Sequence, residues 1–231
     1  MKKIKNYLYI MPAIPAIFAI VALIQSNVFK KNSLFFIEGV AVSCALICIF
    51  VFLMYPKNNK ALWFLTGAFI LSVFGDLFMK NRAVEINFVL GILFFLLAHL
   101  GFLFFALVKV KFSLKVFLVT VTPFLIMYFT VFMPSDGLRK NWVLAIAVFV
   151  YLLISCVSFS ATIERKNPCA ARWVFTAGIA SLLISDTLIA FNDFLGVYQI
   201  NFLIMPLYYL CHVLVALSVT LEHYFTTTET L

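Results

Sequence analysis

The chain has 231 residues, of which 65% are hydrophobic and only 11% charged, and its mean hydropathy is +1.12. Soluble domains carry about 25% charged residues, so this composition excludes an ordinary soluble protein and predicts a polytopic membrane protein. The net charge of +8 does not indicate a nucleic-acid partner, because the basic residues are scattered through short loops and form no stripe or motif.

Eight apolar runs follow one another, each about long enough to cross a hydrocarbon core of about 30 Å as a helix. Backbone groups in lipid must be satisfied internally, and the runs are too long for barrel strands, so we predict an all-α bundle of about eight transmembrane helices. The connections are too short for another domain, and residues 1–231 are predicted to form a single membrane domain. The predicted spans are 7–25, 34–55, 61–79, 86–108, 113–133, 141–161, 171–191 and 199–221.

The distribution of lysine and arginine predicts the orientation of the spans. If the N-terminus is inside, the inner loops carry more basic residues than the outer ones, as cytoplasmic loops do. We therefore predict that both termini are cytoplasmic and that the protein lies in a bacterial inner membrane. The inner residues are Lys2, Lys3, Lys5, Lys57, Lys60, Lys109, Lys111, Lys115, Arg165, Lys166 and Arg172, and the outer ones are Lys30, Lys31, Lys80, Arg82, Arg139 and Lys140.

Five titratable residues interrupt the apolar runs. An ionised side chain at the centre of a membrane helix costs roughly 3 kcal/mol even on the lenient insertion scale, so such residues usually have a function. A single one of them could equally be a satisfied hydrogen bond between helices. Five together favour a functional pocket near the outer leaflet, formed by Glu38, Asp76, His99, Asp186 and His212.

The two halves of the sequence resemble each other. Thr66 and Asp76 lie ten residues apart in the third span, and Thr176 and Asp186 lie ten apart in the seventh. A histidine follows the first aspartate by 23 residues and the second by 26. Spans separated by four have the same orientation, so this spacing suggests a parallel four-plus-four repeat, although chance similarity in a chain rich in Leu and Phe is the alternative.

Further candidate substrate-binding residues follow from helical spacing. Ser72 shares a helix face with Asp76, and Tyr208 and Tyr209 lie one turn before His212. Lys80 and Arg82 are interpreted as topology residues, with contact to a substrate phosphate as the alternative. Three titratable residues at span ends are predicted to be interfacial instead: Asp193, Glu222 and His223.

Four segments also carry a resemblance to a known family: Leu71-Ser72-Val73-Phe74-Gly75-Asp76, the run from Gly91 to Leu100 that ends in Ala98-His99-Leu100, Ser185-Asp186, and Tyr208-Tyr209-Leu210-Cys211-His212. Over roughly spans 2 to 8 the chain resembles the lysoplasmalogenase family, the YhhN-like eight-span membrane proteins. Members hydrolyse the vinyl ether bond of lysoplasmalogens and release a fatty aldehyde and a glycerophospho head group.

The resemblance implies that Asp76, His99 and Asp186 occupy the family's polar positions. It places His212 where members carry Gln or His. The second span of members tends to begin with Lys-Pro, whereas this chain has Phe36-Ile37-Glu38-Gly39 there. Glu38 therefore marks a departure from the family pattern.

The residue types suit enol-ether hydrolysis. Protonation of carbon gives an oxocarbenium ion that water captures, so the reaction needs one protonated carboxyl and one ionised group facing the cation. Burial and a neighbouring carboxylate raise the pKa of a carboxyl, and glycoside hydrolysis uses paired carboxyls for a similar transition state. We expect Asp76 or Asp186 to be the acid and the other to stabilise the cation, with His99 orienting water or acting as base. We expect no metal or other cofactor, and a membrane lysophospholipid as substrate.

Other classes of function remain open from the sequence. A small-solute or ion transporter could use the same residues as a proton relay, but no pair of spans is clearly broken near the midplane. His99, His212 and an aspartate could hold zinc, and the two histidines could be axial ligands of a b-type haem. A homo-oligomer is also open.

Overall fold

A computed structural model describes residues 8, 10–27, 34–55, 60–81, 84–108, 110, 112–166 and 169–226. In this part of the chain the longer helices follow the predicted order of spans. A π-helical turn, Tyr128–Phe132, continues the fifth, and a 3₁₀-helix, Tyr198–Leu203, precedes the eighth. The helices are α1 (Ala13–Asn27), α2 (Leu34–Met54), α3 (Leu62–Met79), α4 (Glu85–Leu107), α5 (Leu114–Met127), α6 (Trp142–Ile163), α7 (Cys169–Leu195) and α8 (Ile204–Thr226), with the single turn Asp136–Arg139 before α6.

The prediction of an all-α membrane bundle is confirmed. Seven of these helices are long and apolar enough to cross a membrane, and α1 is a shorter apolar helix of 15 residues at the place of the first predicted span. In the last two spans the helices extend beyond the predicted ends. Helix α7 continues to Leu195 and α8 to Thr226, so each carries additional polar residues inside a helix.

Helices that follow each other in the chain mostly pack side by side. The sequence of contacts runs from α1 through α2 and α3 to α4, passes from α4 to α6, and continues through α7 to α8. Helix α8 also packs on α2 and α1, which closes the arrangement into a ring, while α5 lies outside it against α6.

Two glycines bring the most closely packed helix pairs together. A Cβ at Gly101 of α4 would lie 2.8 Å from the carbonyl oxygen of Phe64 on α3. A Cβ at Gly178 of α7 would lie 3.2 Å from Leu214 Cβ on α8. Small residues at such contacts let helix backbones approach closely, which is how membrane helices gain packing energy without a hydrophobic driving force.

Large apolar side chains cover the outside of the bundle, among them Ile17, Leu46, Val119 and Val143, each about half exposed or more. In water such a surface would be unstable, whereas in a bilayer it faces lipid tails. Together with the seven apolar helices it makes this chain an integral, multi-pass membrane protein. The histidines within the spans, His99 and His212, are instead buried in the interior, and Asp186 is largely buried beside His99.

Candidate active site

Helix α3 places Asp76 near its C-terminal end, facing α8. The Tyr208 hydroxyl donates a hydrogen bond of 3.0 Å to Asp76 Oδ2. One turn earlier, the buried Ser72 hydroxyl donates a hydrogen bond of 3.0 Å to the Ala68 carbonyl of the same helix. Glu38 on α2 lies near enough for its charge to interact with that of Asp76. Its Oε1 is buried and has no hydrogen-bond partner among the described residues.

The second aspartate contacts a histidine of the other half of the chain. Asp186 Oδ2 on α7 lies 3.0 Å from His99 Nε2 on α4, and the two side chains are 17% and 6% exposed. Asp186 Oδ2 makes no hydrogen bond with the described residues, so the two groups are in close contact without an aligned hydrogen bond. On the other side, His99 Nδ1 lies 3.0 Å from the Phe95 carbonyl oxygen.

The surroundings of His99 place an acceptor near each nitrogen of its ring. Nδ1 lies 3.0 Å from the Phe95 carbonyl oxygen, which can only accept, and Nε2 lies 3.0 Å from Asp186 Oδ2. The imidazole and the carboxyl are therefore close enough for a proton to pass between them.

Tyr151 on α6 is a third member of this cluster, which sequence reasoning missed. Its hydroxyl lies 3.1 Å from His99 Nδ1 and 3.4 Å from Nε2, and it also interacts with the Asp186 carboxyl as a hydrogen-bond partner. A tyrosine in an apolar span gives no signal, because its ring is apolar and its burial costs little. Tyr151 connects α6 to the carboxyl–imidazole pair.

The predicted repeat relates His212 to His99, and both make the same bond within their own helix. His212 Nδ1 lies 2.9 Å from the Tyr208 carbonyl oxygen, one turn earlier. The second ring nitrogens differ. His99 Nε2 contacts Asp186, whereas His212 Nε2 is buried without a partner among the described residues. The His212 ring is 1% exposed and packs against the rings of Phe69 and Tyr208. It belongs to the aromatic core beside the site.

The two aspartates line two different cavities. The polar cavity has a volume of about 410 Å³ and holds Asp76 and Tyr208 at its inner end. The apolar groove has a volume of about 100 Å³ and holds Asp186 and Tyr151 among apolar side chains. The polar residues around the polar cavity are Asp76, Lys80, Ser185, Asn192, Asn201 and Tyr208, and the apolar groove is lined mainly by Met79, Phe88, Ile92, Phe95, Val148, Ile189, Ala190 and Phe194.

Three side chains belong to both cavities and form the junction between them: Met79, Phe95 and Ile189. Met79 follows Asp76 by about one turn, Phe95 precedes His99 by about one turn, and Ile189 follows Asp186 by about one turn. The junction is therefore flanked by both aspartates and by the histidine. A molecule that occupied both cavities would pass between these groups.

The remaining predicted residues fall into three groups. Lys80 is exposed and lines the polar cavity. Ser72, Tyr209 and His212 are buried beside the site and line neither cavity, and Glu38 lies behind Asp76. Arg82 is outside the described residues.

Asn192 is a second residue that the sequence did not reveal. The predicted seventh span ended at residue 191, whereas α7 continues to Leu195, so Asn192 lies on the helix and is only 2% exposed. Its Nδ2 donates to Asp193 Oδ1 at 2.7 Å. Its Oδ1 is buried without a partner in the described part of the chain, and the side chain lines the polar cavity.

The geometry does not gather metal ligands in the part of the chain that is described. No three His, Cys, Asp or Glu side chains there are arranged to hold an ion. The set of His99, His212 and an aspartate considered from the sequence is therefore not assembled in this structure, since only His99 contacts Asp186.

The fold and this site define a polytopic helical membrane protein with carboxyl and imidazole groups buried at one end of the bundle. A model of the YhhN family matches residues 38–219. The chain belongs to the YhhN family, which includes lysoplasmalogenases. Comparisons with curated proteins and with solved structures give no significant match.

Proposed function

We propose that this protein hydrolyses the vinyl ether bond of lysoplasmalogen-type lysophospholipids, releasing a fatty aldehyde and a glycerophospho head group. Membership of a family that includes lysoplasmalogenases supports the class of reaction. The observation that carries the proposal is the contact of 3.0 Å between His99 Nε2 and Asp186 Oδ2. In the proposed reaction this pair is the source of the proton, and it lies beside an apolar groove, where an apolar carbon can approach it.

The His99–Asp186 pair is the acid in this mechanism. It transfers its shared proton to the vinyl carbon farther from the ether oxygen. The electron pair of the double bond forms the new C–H bond, and an oxocarbenium ion is left at the carbon next to oxygen. General acid catalysis of this kind contributes about 10²- to 10⁴-fold to the rate. Tyr151, at 3.1 Å from His99 Nδ1, holds the imidazole in place.

Asp76 is the stabilising carboxylate. The Tyr208 hydroxyl donates to Asp76 Oδ2 at 3.0 Å and holds this carboxyl at the polar cavity. An ionised carboxylate facing the developing cation lowers the barrier most effectively where bulk water is excluded. Both aspartates flank the junction, so the cation would form between them.

The second half of the reaction returns the proton. A water molecule from the polar cavity adds to the cation, and the deprotonated His99–Asp186 pair accepts one of its protons. The resulting hemiacetal breaks its bond to the glycerol oxygen while its hydroxyl proton passes to that oxygen, and this gives the aldehyde and the alcohol. The same pair thus acts first as acid and then as base, as one carboxyl does in retaining glycosidases.

The experiment that tests the function is an assay of aldehyde release with the purified protein in detergent or liposomes. Vinyl ether, saturated ether and ester lysophospholipids with the same chain and head group are compared. We expect aldehyde from the vinyl ether lysolipid alone. In D₂O the aldehyde should carry one deuterium at the carbon next to its carbonyl, because the proton added to carbon comes from an exchangeable group.

Two results would contradict the proposal. If no vinyl ether lysolipid yields aldehyde, the hydrolase assignment is wrong, and proton-coupled solute flux in liposomes becomes the next measurement. If aldehyde forms without deuterium at that carbon, the bond is broken by another route than protonation. We expect activity to survive chelation, since two carboxyls suffice, and a loss that zinc restores would replace this mechanism with a metal-dependent one.

A further inference from the structure

The apolar groove lies between α4, α6 and α7, directly outside the carboxyl–imidazole pair. Phe88 and Ile92 of α4, Val148 of α6, and Ala190 and Phe194 of α7 form its walls. Tyr151, Asp186 and Asp193 also line the groove, but most of its lining is apolar, so hydrocarbon is the occupant that costs least there. The groove adjoins the polar cavity at the junction of Met79, Phe95 and Ile189, whose side chains line both.

The polar cavity has the complementary character. Lys80 lies at its edge, one helical turn or about 6 Å beyond Asp76 along α3, and presents a cation to a phosphate. The partnerless Oδ1 of the buried Asn192 also borders this cavity and can accept a hydrogen bond from a glycerol hydroxyl. The glycerol backbone of a lysolipid separates its phosphate from its ether oxygen by a similar few ångström. A phosphate at Lys80 therefore places the ether bond at the depth of Asp76 and the junction.

We propose that the apolar groove is the binding site of the substrate's hydrocarbon chain, while the polar cavity holds the glycerophosphate and the junction holds the vinyl ether bond. This inference rests on the proposed function and adds to it the direction in which the substrate lies. It also predicts a preference for lysolipids, because the groove has a volume of only about 100 Å³ and a second acyl chain on the glycerol would have to occupy the polar cavity.

Two glycines keep the junction in shape. A Cβ at Gly75 would lie 2.6 Å from Phe95 Cε1, and a Cβ at Gly91 would lie 2.7 Å from Met79 Cγ. The absence of side chains at Gly75 and Gly91 therefore lets Phe95 and Met79 occupy their positions between the two cavities. The width of the passage is set by the close packing of α3 on α4.

The first test fills the groove by Ala190→Phe. The matched control is Ala177→Phe, which makes the same substitution on an exposed side of the same helix. For a long-chain vinyl ether lysolipid, Ala190→Phe should lower kcat/KM by about tenfold, which corresponds to losing the burial of about two methylene groups. A short-chain substrate should lose much less, and Ala177→Phe should change neither. An equal loss for both chain lengths in a variant that keeps its thermal unfolding temperature would overturn the proposal.

The second test does not depend on turnover. A saturated ether lysophospholipid with a photoreactive group at the chain end is bound to the wild-type protein and irradiated, with and without excess unlabelled lysolipid. Labelling that the competitor removes should map to the segments around Val148 and Phe194 and should decrease in Ala190→Phe. Labelling confined to the outer surface near Ala177 would contradict the assignment of the hydrocarbon chain to the groove. If labelling maps to the groove but no lysolipid releases aldehyde, the groove is confirmed as the chain-binding site and the proposed hydrolase function is wrong.

A third comparison separates the two ends of the substrate. Lys80→Gln should raise KM by a similar factor for long and short chains, because it affects the head group alone, with Lys140→Gln as the control at an exposed cation in another loop. A Lys80→Gln effect that depended on chain length would reverse the direction assigned to the substrate and overturn the proposal.

Discussion

Each aspartate in the membrane interior has a hydrogen-bonding or charged partner from a different part of the chain. Asp76 is bound by Tyr208 and Asp186 contacts His99, so each half of the predicted repeat supplies the partner for the aspartate of the other. Such partners reduce the cost of burying a carboxyl. They also give the two aspartates different environments, which is the condition for assigning them different roles.

Replacing either aspartate by asparagine tests these roles. Asp76→Asn and Asp186→Asn preserve volume and remove the titrating carboxyl, so each should lower kcat for aldehyde release by at least about 100-fold. The double variant should lose far less than the product of the two effects, since groups that act as a unit are not additive. Thermal unfolding temperatures should hold or rise, because an amide is less costly to bury.

Asp136→Asn is the matched control for this pair, since Asp136 is highly exposed in a loop. If Asp186→Asn leaves aldehyde release intact while Asp76→Asn abolishes it, the paired mechanism is wrong. Glu38 then becomes the preferred partner of Asp76, because it is the carboxyl whose charge reaches Asp76. If neither change matters, the polar cluster is structural.

Tyr151→Phe tests the positioning of His99. The substitution removes a hydroxyl that lies 3.1 Å from Nδ1. Losing one hydrogen bond that orients the imidazole costs about 1 kcal/mol, so kcat should fall about fivefold to tenfold while KM stays unchanged. The control is Tyr128→Phe, which removes a buried hydroxyl that donates to the Ala145 carbonyl at 2.8 Å and should lower stability without altering kcat. A change in KM alone would instead make Tyr151 a substrate contact.

The sequence identified the site residues whose burial is costly and missed those whose burial is not. Asp76, Asp186 and His99 stand out in apolar runs because an ionisable group there must be compensated. Tyr151 gives no such signal, and Asn192 lay beyond the predicted end of its span. Nor could spacing along one helix show that the aspartates border separate cavities, since that depends on how helices from both halves pack.

At the scale of helices, a buried ion pair joins the end of α6 to α8. Arg165 Nη2 lies 3.3 Å from Glu222 Oε2, and the two side chains are 1% and 8% exposed. The Arg165 guanidinium also lies 3.8 Å from the centre of the Phe105 ring. Glu222 is therefore not the interfacial residue that its position near a predicted span end indicated, because its partner follows α6, far away in the sequence.

This pair should contribute to stability mainly through the cost of leaving one charge alone. Glu222→Gln should lower the free energy of unfolding by about 3 kcal/mol, because it strands the buried Arg165 charge. Arg165→Met combined with Glu222→Met should cost clearly less, since both charges are removed. Reversible unfolding in mixed micelles measures both values. If Glu222→Gln is as stable as the wild type, the guanidinium is held by Phe105 and other contacts instead.

At the scale of the whole molecule, the ends of the helices determine where the substrate enters. The polar cavity is lined by the C-terminal ends of α3 and α7 and by the beginning of α8 with its preceding 3₁₀-helix. These ends lie on one side of the membrane because α3 and α7 run in the same direction. The Arg165–Glu222 pair lies toward the opposite ends of α7 and α8, so the bundle has one end with a cavity and one closed by a buried ion pair.

In the proposed function, the orientation of the bundle decides which leaflet supplies the lysolipid. The excess of lysine and arginine on one set of loops predicts that both termini are cytoplasmic, and the polar cavity then opens toward the outer leaflet. Reporter fusions after Lys60 and after Lys166 should therefore read as cytoplasmic, and a fusion after Asp136 as external. Lysolipid added to intact cells should reach the site without crossing the membrane. An external signal at Lys60 together with a cytoplasmic one at Asp136 would invert the bundle, and the enzyme would then draw its substrate from the cytoplasmic leaflet.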